Sequence, residues 1–191
     1  MLEKELLEKL KNADEVAFRF LVEKYQDKVF NTCLGFLRNV EEAEDLTQEV
    51  FIEVYESIVS FRGDAKVSTF LYRIAVNKSL DYLRKKKRKK RFSFVLSIFG
   101  LEEQLNSPSN IVAEHPGILL ENKERTHLLF SKMDELPERQ RVAFSLHKID
   151  GLSYQEIAEV MELSISAVES LLFRAKQNLQ TKLKNYYESE K

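Results

Sequence analysis

An all-α fold of two small helical domains is predicted by three features of the chain. Only 5 Gly and 3 Pro punctuate 191 residues, so tight turns are few. Apolar residues recur three or four apart over most of the length, and no alternating strand pattern of useful length is present. One break interrupts this periodicity: the segment NSPSN, followed by Pro116 and Gly117. With 43% apolar residues the chain can bury one moderate core or two small ones of roughly 80 residues each, and the break favours two. The expected division is a domain over 10–91, a linker over 92–121 and a second domain over 122–187.

The elements follow in order. The N-terminal stretch MLEKELLEKLKNADEV is charged and amphipathic and lacks the apolar centre of a signal peptide. From Phe18 the residues Leu21, Val22, Tyr25, Val29, Cys33 and Phe36 mark one amphipathic helix to about Leu37. Asn39 can cap a second helix with Ala43, Leu46, Val50, Val54 and Ile58 inward. After a polar connection containing Gly63, Ser68 can cap a third helix through STFLYRIAVNKSLDYL. Periodicity resumes near Asn122. Pro137 suits the first position of a helix with Val142, Leu146 and Ile149 inward, and Gly151 can end it. Ser153 can cap a short helix with Ile157, Ala158 and Met161 inward. Glu162, Leu163 and Ser164 make a corner, and a longer helix begins near Ile165. Cys33, the single cysteine, falls on an apolar helical face as a buried spectator. No internal disulfide can form, and no apolar run is long enough to span a bilayer, so a cytoplasmic setting without membrane insertion is expected.

Charge is segregated along the first half. Residues 39–61 hold seven acidic side chains and no basic one, a face that should repel nucleic acid and attract a basic protein surface. Residues 62–91 hold 12 basic and 2 acidic side chains, although the whole chain is nearly neutral at −1. Eight of the basic residues are consecutive, Arg84 to Arg91, and extend the end of the third helix, where cations also favour the helix dipole. Phe70, Tyr72 and Tyr82 precede them and offer rings on which unpaired bases can stack, beside charge for a phosphate backbone.

The C-terminal pattern, a short helix, a tight corner and a longer helix, is a helix-turn-helix whose second helix would enter the major groove with its first turns. Ser164, Ser166, Ala167, Glu169, Ser170 and Phe173 lie on or near the open start of that helix, while Val168, Leu171 and Leu172 can face the core. A carboxylate such as Glu169 accepts from a cytosine amino group, and Arg174 and Lys176 would hold phosphates. An acid cluster at Glu41, Glu42, Glu44, Asp45 and Glu49 could share a hard metal ion between Asp45 and Glu49. Three histidines unrelated to it by helical spacing, and no Gly-rich phosphate loop, argue against an enzyme, and no cofactor or metal is expected.

Three ordered motifs, AEDLTQEVF at 43–51, STFLYRIAVN at 68–77 and the stretch from ELPERQR through GLSYQEIAEVMELSISAVESLLFRAKQNL, resemble bacterial sigma factors of the extracytoplasmic-function type. The resemblance covers 14–91, similar to sigma region 2, and 122–185, similar to region 4. It implies a sigma factor that binds core RNA polymerase and directs promoter-specific initiation, reading minus-35 duplex DNA and capturing the opened minus-10 element. It assigns core binding to Asp45, Gln48 and Glu49, and the minus-10 element to Phe61, Arg62, Ser68, Thr69, Tyr72, Arg73 and Asn77. The residues at the start of the last helix then read the minus-35 element. An anti-sigma factor is the further partner implied, and the segment FSFVLSIFG is a candidate for that contact. Two departures stand out. Phe70 stands where the family usually has tryptophan, and Glu169 where many relatives carry lysine or arginine, which implies an altered minus-35 preference. A dimeric helix-turn-helix regulator is the rival reading, and it leaves AEDLTQEVF unexplained.

Overall fold

The computed structural model describes residues 3–98 and 123–189. Eight α-helices follow in order: α1 Glu3–Lys11, α2 Glu15–Leu37, α3 Val40–Ser57, α4 Val67–Ile98, α5 Lys123–Asp134, α6 Glu138–Lys148, α7 Tyr154–Met161 and α8 Ile165–Ser189. A single 3-10 turn at Ile58–Ser60 follows α3, and no strand occurs among the described residues.

Local chemistry sets most boundaries. Asp14 starts α2 by accepting from the Ala17 amide at 2.8 Å, and Asn39 starts α3 by accepting from Glu42 at 2.8 Å. Between them Arg38 takes the left-handed conformation (φ 58°), which ends α2 and turns the chain back for an antiparallel α3. The inward stripe expected of α3, Ala43, Leu46, Val50, Val54 and Ile58, is buried throughout. Ser153 and Glu156 form a reciprocal capping box at α7, and Glu162 (φ 54°) closes that helix.

Four expectations need correction. The first long helix begins at Glu15, three residues before Phe18, because Asp14 is the better cap. Ser68 does not cap α4. The helix starts at Val67, whose amide is taken by the Glu3 carboxylate of α1 at 2.9 Å, a long-range cap that no local pattern reveals. Pro137 occupies the capping position with extended ψ (138°), and α6 starts one residue later. The helix carrying the basic run continues through Ile98, so the first seven residues of the expected linker are helical. The rest of that segment, 99–121, lies outside the described residues, as does Asn122.

Helices α2, α3 and α4 pack around Leu21, Val29, Val50, Val54 and Leu71, with α1 against α2 and the 3-10 turn. Helices α6, α7 and α8 pack around Leu146, Ile157 and Val168, and α5 lies on α8 over Met133, Leu136, Ala175 and Leu179. The two groups meet where α7 lies on α4 and α6 on α2, and their apolar cores are continuous. Gly35 of α2 permits a close approach there: a Cβ would sit 3.3 Å from the Ile149 side chain. Cys33 is fully buried, and that burial pushes its thiol up to about 11, so it is inert near neutral pH.

Candidate nucleic-acid interface

Helices α7 and α8 form the helix-turn-helix. The corner is fixed by Glu162 in the left-handed conformation, by the Leu163 amide donating to the Ala158 carbonyl at 3.0 Å, and by the Ser164 hydroxyl accepting from the Ala167 amide at 3.2 Å. Val168, Leu171 and Leu172 turn inward. Ser164, Ser166, Glu169, Ser170, Phe173, Arg174 and Lys176 are exposed on one side of α8, and Ala167 is half-buried beside them. Phe173, 62% exposed, is a large apolar ring among these mostly polar side chains. Ser164 has a structural duty as the cap of α8, so its hydroxyl is already engaged.

The residues expected at the minus-10 element divide. Arg62 and Asn77 are exposed, and Ser68 is half-buried. Phe61 is half-buried and stacks on Phe70, ring centroids 4.6 Å apart at 25°. Thr69 and Tyr72 are buried, and burial raises the Tyr72 hydroxyl well above its ordinary value. Arg73 faces the helix-turn-helix. Its guanidinium donates to the Glu159 carbonyl of α7 at 2.6 and 3.1 Å and pairs with the Glu162 carboxylate at 2.9 Å. The Thr69 hydroxyl donates to the Glu159 carboxylate at 3.2 Å. The expectation of open ring faces at Phe70, Tyr72 and Tyr82 therefore does not describe this conformation. Phe70 is spent on Phe61, Tyr72 lies under the second helix group, and half-buried Tyr82, its hydroxyl raised to about 12 chiefly by burial, has Lys86 over its ring.

A cleft of about 280 Å³ separates α4 from α6 and α7, and Arg73, Asn77, Arg84 and Arg139 line it. Past it the basic run continues on α4. Arg84 is paired with Asp81 at 2.9 Å and Glu138 at 2.6 Å, and Lys86 with Glu42 at 2.6 Å. Lys85, Lys87, Arg88 and Lys89 are exposed.

On α3, Asp45, Gln48 and Glu49 are exposed together, one turn apart. Part of the acid is met within the chain: Lys78 of α4 lies 3.5 Å from Glu49 and 3.0 Å from Glu53. Ile52, Tyr55 and Val59, between 48% and 64% exposed, continue this face with apolar side chains. Ile52 and Tyr55 fall between acidic positions and Val59 just after the last of them, so all three escape a reading based on charge. Among the described residues no three His, Cys, Asp or Glu side chains are grouped as a metal could use them.

Comparison with known proteins agrees with this layout. Residues 21–89 match the family of sigma-70 region 2 and residues 127–179 that of sigma-70 region 4. The chain is 34% identical over 185 residues to the ECF RNA polymerase sigma-E factor of Escherichia coli strain K12, spanning 93% of this chain and 92% of that protein. It is 35% identical over 189 residues to the ECF RNA polymerase sigma factor SigW of Bacillus subtilis strain 168, spanning 97% and 98%. The fold is shared with CnrH, solved with the cytosolic domain of CnrY (TM-score 0.65, 20% identity, 96% and 97% covered). It is also shared with the sigma factor RpoE of Bartonella quintana, solved with the anti-sigma factor NepR (TM-score 0.62, 22% identity, 87% and 96% covered). By these matches the chain belongs to the extracytoplasmic-function sigma factors of the sigma-70 family.

Proposed function

We propose that this chain confers promoter specificity on core RNA polymerase. In this reading α3 docks on a basic surface of the polymerase through Asp45, Gln48 and Glu49. Helix α4 and the connection before it capture the opened minus-10 strand, and α8 reads the minus-35 duplex. The observation that carries it is the open polar face at the start of α8, presented by a helix-turn-helix in the same chain as an exposed acidic α3. Stacking contributes about 1–3 kcal/mol per base, enough to offset the few kcal/mol of opening a base step without ATP. Bond-making chemistry belongs to the polymerase, and the reading assigns no catalytic residue or cofactor to this chain. No described helix is long and apolar enough to cross a membrane. An anti-sigma factor is the regulatory partner that the family membership suggests.

The test is transcription by bacterial core polymerase from a genomic fragment library with and without the protein. Protein-dependent start sites sharing two upstream elements are expected. A folded, inhibitor-free protein that fails to bind core and instead footprints a symmetric operator by itself would favour the dimeric regulator.

Glu169 yields a sharper expectation. It is exposed on α8, and a carboxylate accepts from cytosine where a lysine would address guanine or phosphate. Glu169→Lys should reorder minus-35 preference by roughly 1–3 kcal/mol at one base pair while leaving core affinity unchanged. Selection from randomised minus-35 sequences reads this out, and an unaltered ranking refutes the assignment.

A further inference from the structure

Several contacts between the two helix groups fall on residues that the proposed function needs free. Arg73 is held by the carbonyl of Glu159 and the carboxylate of Glu162, and Thr69 by the carboxylate of Glu159. The last carbonyls of a helix lack intrahelical partners, so the C-terminal end of α7 is a natural seat for a guanidinium. Two carboxylates and a carbonyl of the chain stand where phosphate oxygens or base edges would have to approach. Tyr72 is only 7% exposed beneath the same helices. A single-stranded segment and α7 cannot occupy this face together.

The seam has another contact, more deeply placed, between buried Thr32 and half-buried Asp150. The Thr32 side chain of α2 is buried, and its Oγ1 lies 2.7 Å from Oδ1 of Asp150, in the loop between α6 and α7. The same Oγ1 lies 2.9 Å from the Lys28 carbonyl. A hydroxyl has one proton, so it cannot donate to both. Both contacts are satisfied when Asp150 carries the acid proton and donates to Oγ1, which in turn donates to Lys28. The other Asp150 oxygen is buried without a partner, a position that an ionised carboxylate tolerates poorly. From α2 the group faces Cys33, and from α4 Tyr72, both uncharged at neutral pH. On its own side His147 is engaged with the Leu152 carbonyl at 3.1 Å. No cation contributes to its titration, and burial raises the carboxyl to about 7.

We propose that the chain without its partners is held shut by its own helix-turn-helix, with α7 covering the minus-10 face of α4 and the Thr32–Asp150 pair acting as a proton-dependent latch across the seam. The direction follows from linkage. When the seam opens, Asp150 meets water and returns toward an ordinary carboxylate value, so the closed form binds more protons. The latch's contribution to closure is greatest in mild acid and weakens as pH rises toward about 7, above which it levels off. Between pH 5 and 7 one such proton changes the open-to-closed ratio by up to about tenfold per pH unit.

This inference rests on the sigma reading for the meaning of the covered face, but its test is separate. Donor and acceptor dyes are placed on the full chain at Glu56→Cys in α3 and Gln180→Cys in α8, both exposed, while inert Cys33 stays unlabelled. Energy transfer should fall as pH rises from 5 to 8. Asp150→Asn keeps the shape without the charge and should hold the chain closed at every pH. Thr32→Val removes the partner and should open it even at pH 6. The affinity for a single-stranded oligonucleotide carrying a minus-10 element should rank Thr32→Val above the unaltered chain above Asp150→Asn at pH 7. Energy transfer that is independent of pH, or identical among the three proteins, overturns the latch. Equal oligonucleotide affinities overturn the occlusion. Failure of the unlabelled, unaltered chain to start transcription with core polymerase would instead defeat the sigma reading and leave the distance result standing.

Discussion

Leu146→Ala is expected to destabilise the protein by roughly 2–5 kcal/mol, the range for emptying a packed leucine site that cannot collapse. Leu146 is fully buried in α6, inside the core that α6, α7 and α8 share. Its carbonyl also accepts from the Leu152 amide at 3.0 Å, which anchors the loop leading into α7. That loss is a large share of the 5–15 kcal/mol typical of a whole domain. Two rigid helices border the site, so the void should persist. Urea unfolding should show the shift as a lower midpoint, and minus-35 binding should fail before core binding does, because Leu146 lies beside α7 and α8 whereas α3 packs on α2 and α4. Ile165→Ala, at a residue 48% exposed on α8, serves as the control and should change the midpoint little. A small shift for Leu146→Ala would mean that the C-terminal helices repack freely, and that α8 is not held rigidly enough to read bases.

How much of this was legible in the sequence depends on the range of the interaction. The α3 stripe from Ala43 to Ile58 and the caps at Asn39 and Ser153 are local, set within a few residues, and the sequence shows them directly. The start of α4 is not, because its cap is a carboxylate 64 residues away, on a helix whose role the charge pattern alone did not indicate. The exposed side of α8 follows from helical periodicity once the corner at Glu162 is placed. Tyr72 and Arg73 show the opposite case. Their residue types suit stacking and phosphate contact, and nothing near them in sequence says that Tyr72 would be buried or that Glu159 and Glu162 would hold Arg73. The Thr32–Asp150 pair spans 118 residues and joins two residue types that usually stay solvated, so no composition or period could have announced it.

Reversing the acid on α3 should have the largest functional effect. Asp45→Lys together with Glu49→Lys is expected to weaken core-polymerase binding at least about 100-fold, which corresponds to roughly 2.7 kcal/mol. The size follows from sign: an attraction to a basic surface becomes a repulsion, and like charges brought together at an interface cost several kcal/mol. The fold should hardly notice. Both side chains are exposed, and the contact of Glu49 with Lys78 is long at 3.5 Å, the kind of surface pair that contributes about 0–1 kcal/mol. Lys78 also keeps Glu53 at 3.0 Å when Glu49 is reversed. Competition with a labelled sigma factor for core polymerase reads the affinity, and the loss should shrink as salt is raised, because screening weakens repulsion between exposed charges. Unchanged core affinity would move the docking surface to the neighbouring apolar residues Ile52 and Tyr55 of α3 and Val59 of the 3-10 turn after it, which carry no charge for lysine to oppose. Equal losses at low and high salt would indicate that the lysines block docking by bulk, leaving the acidic face without the electrostatic role assigned to it.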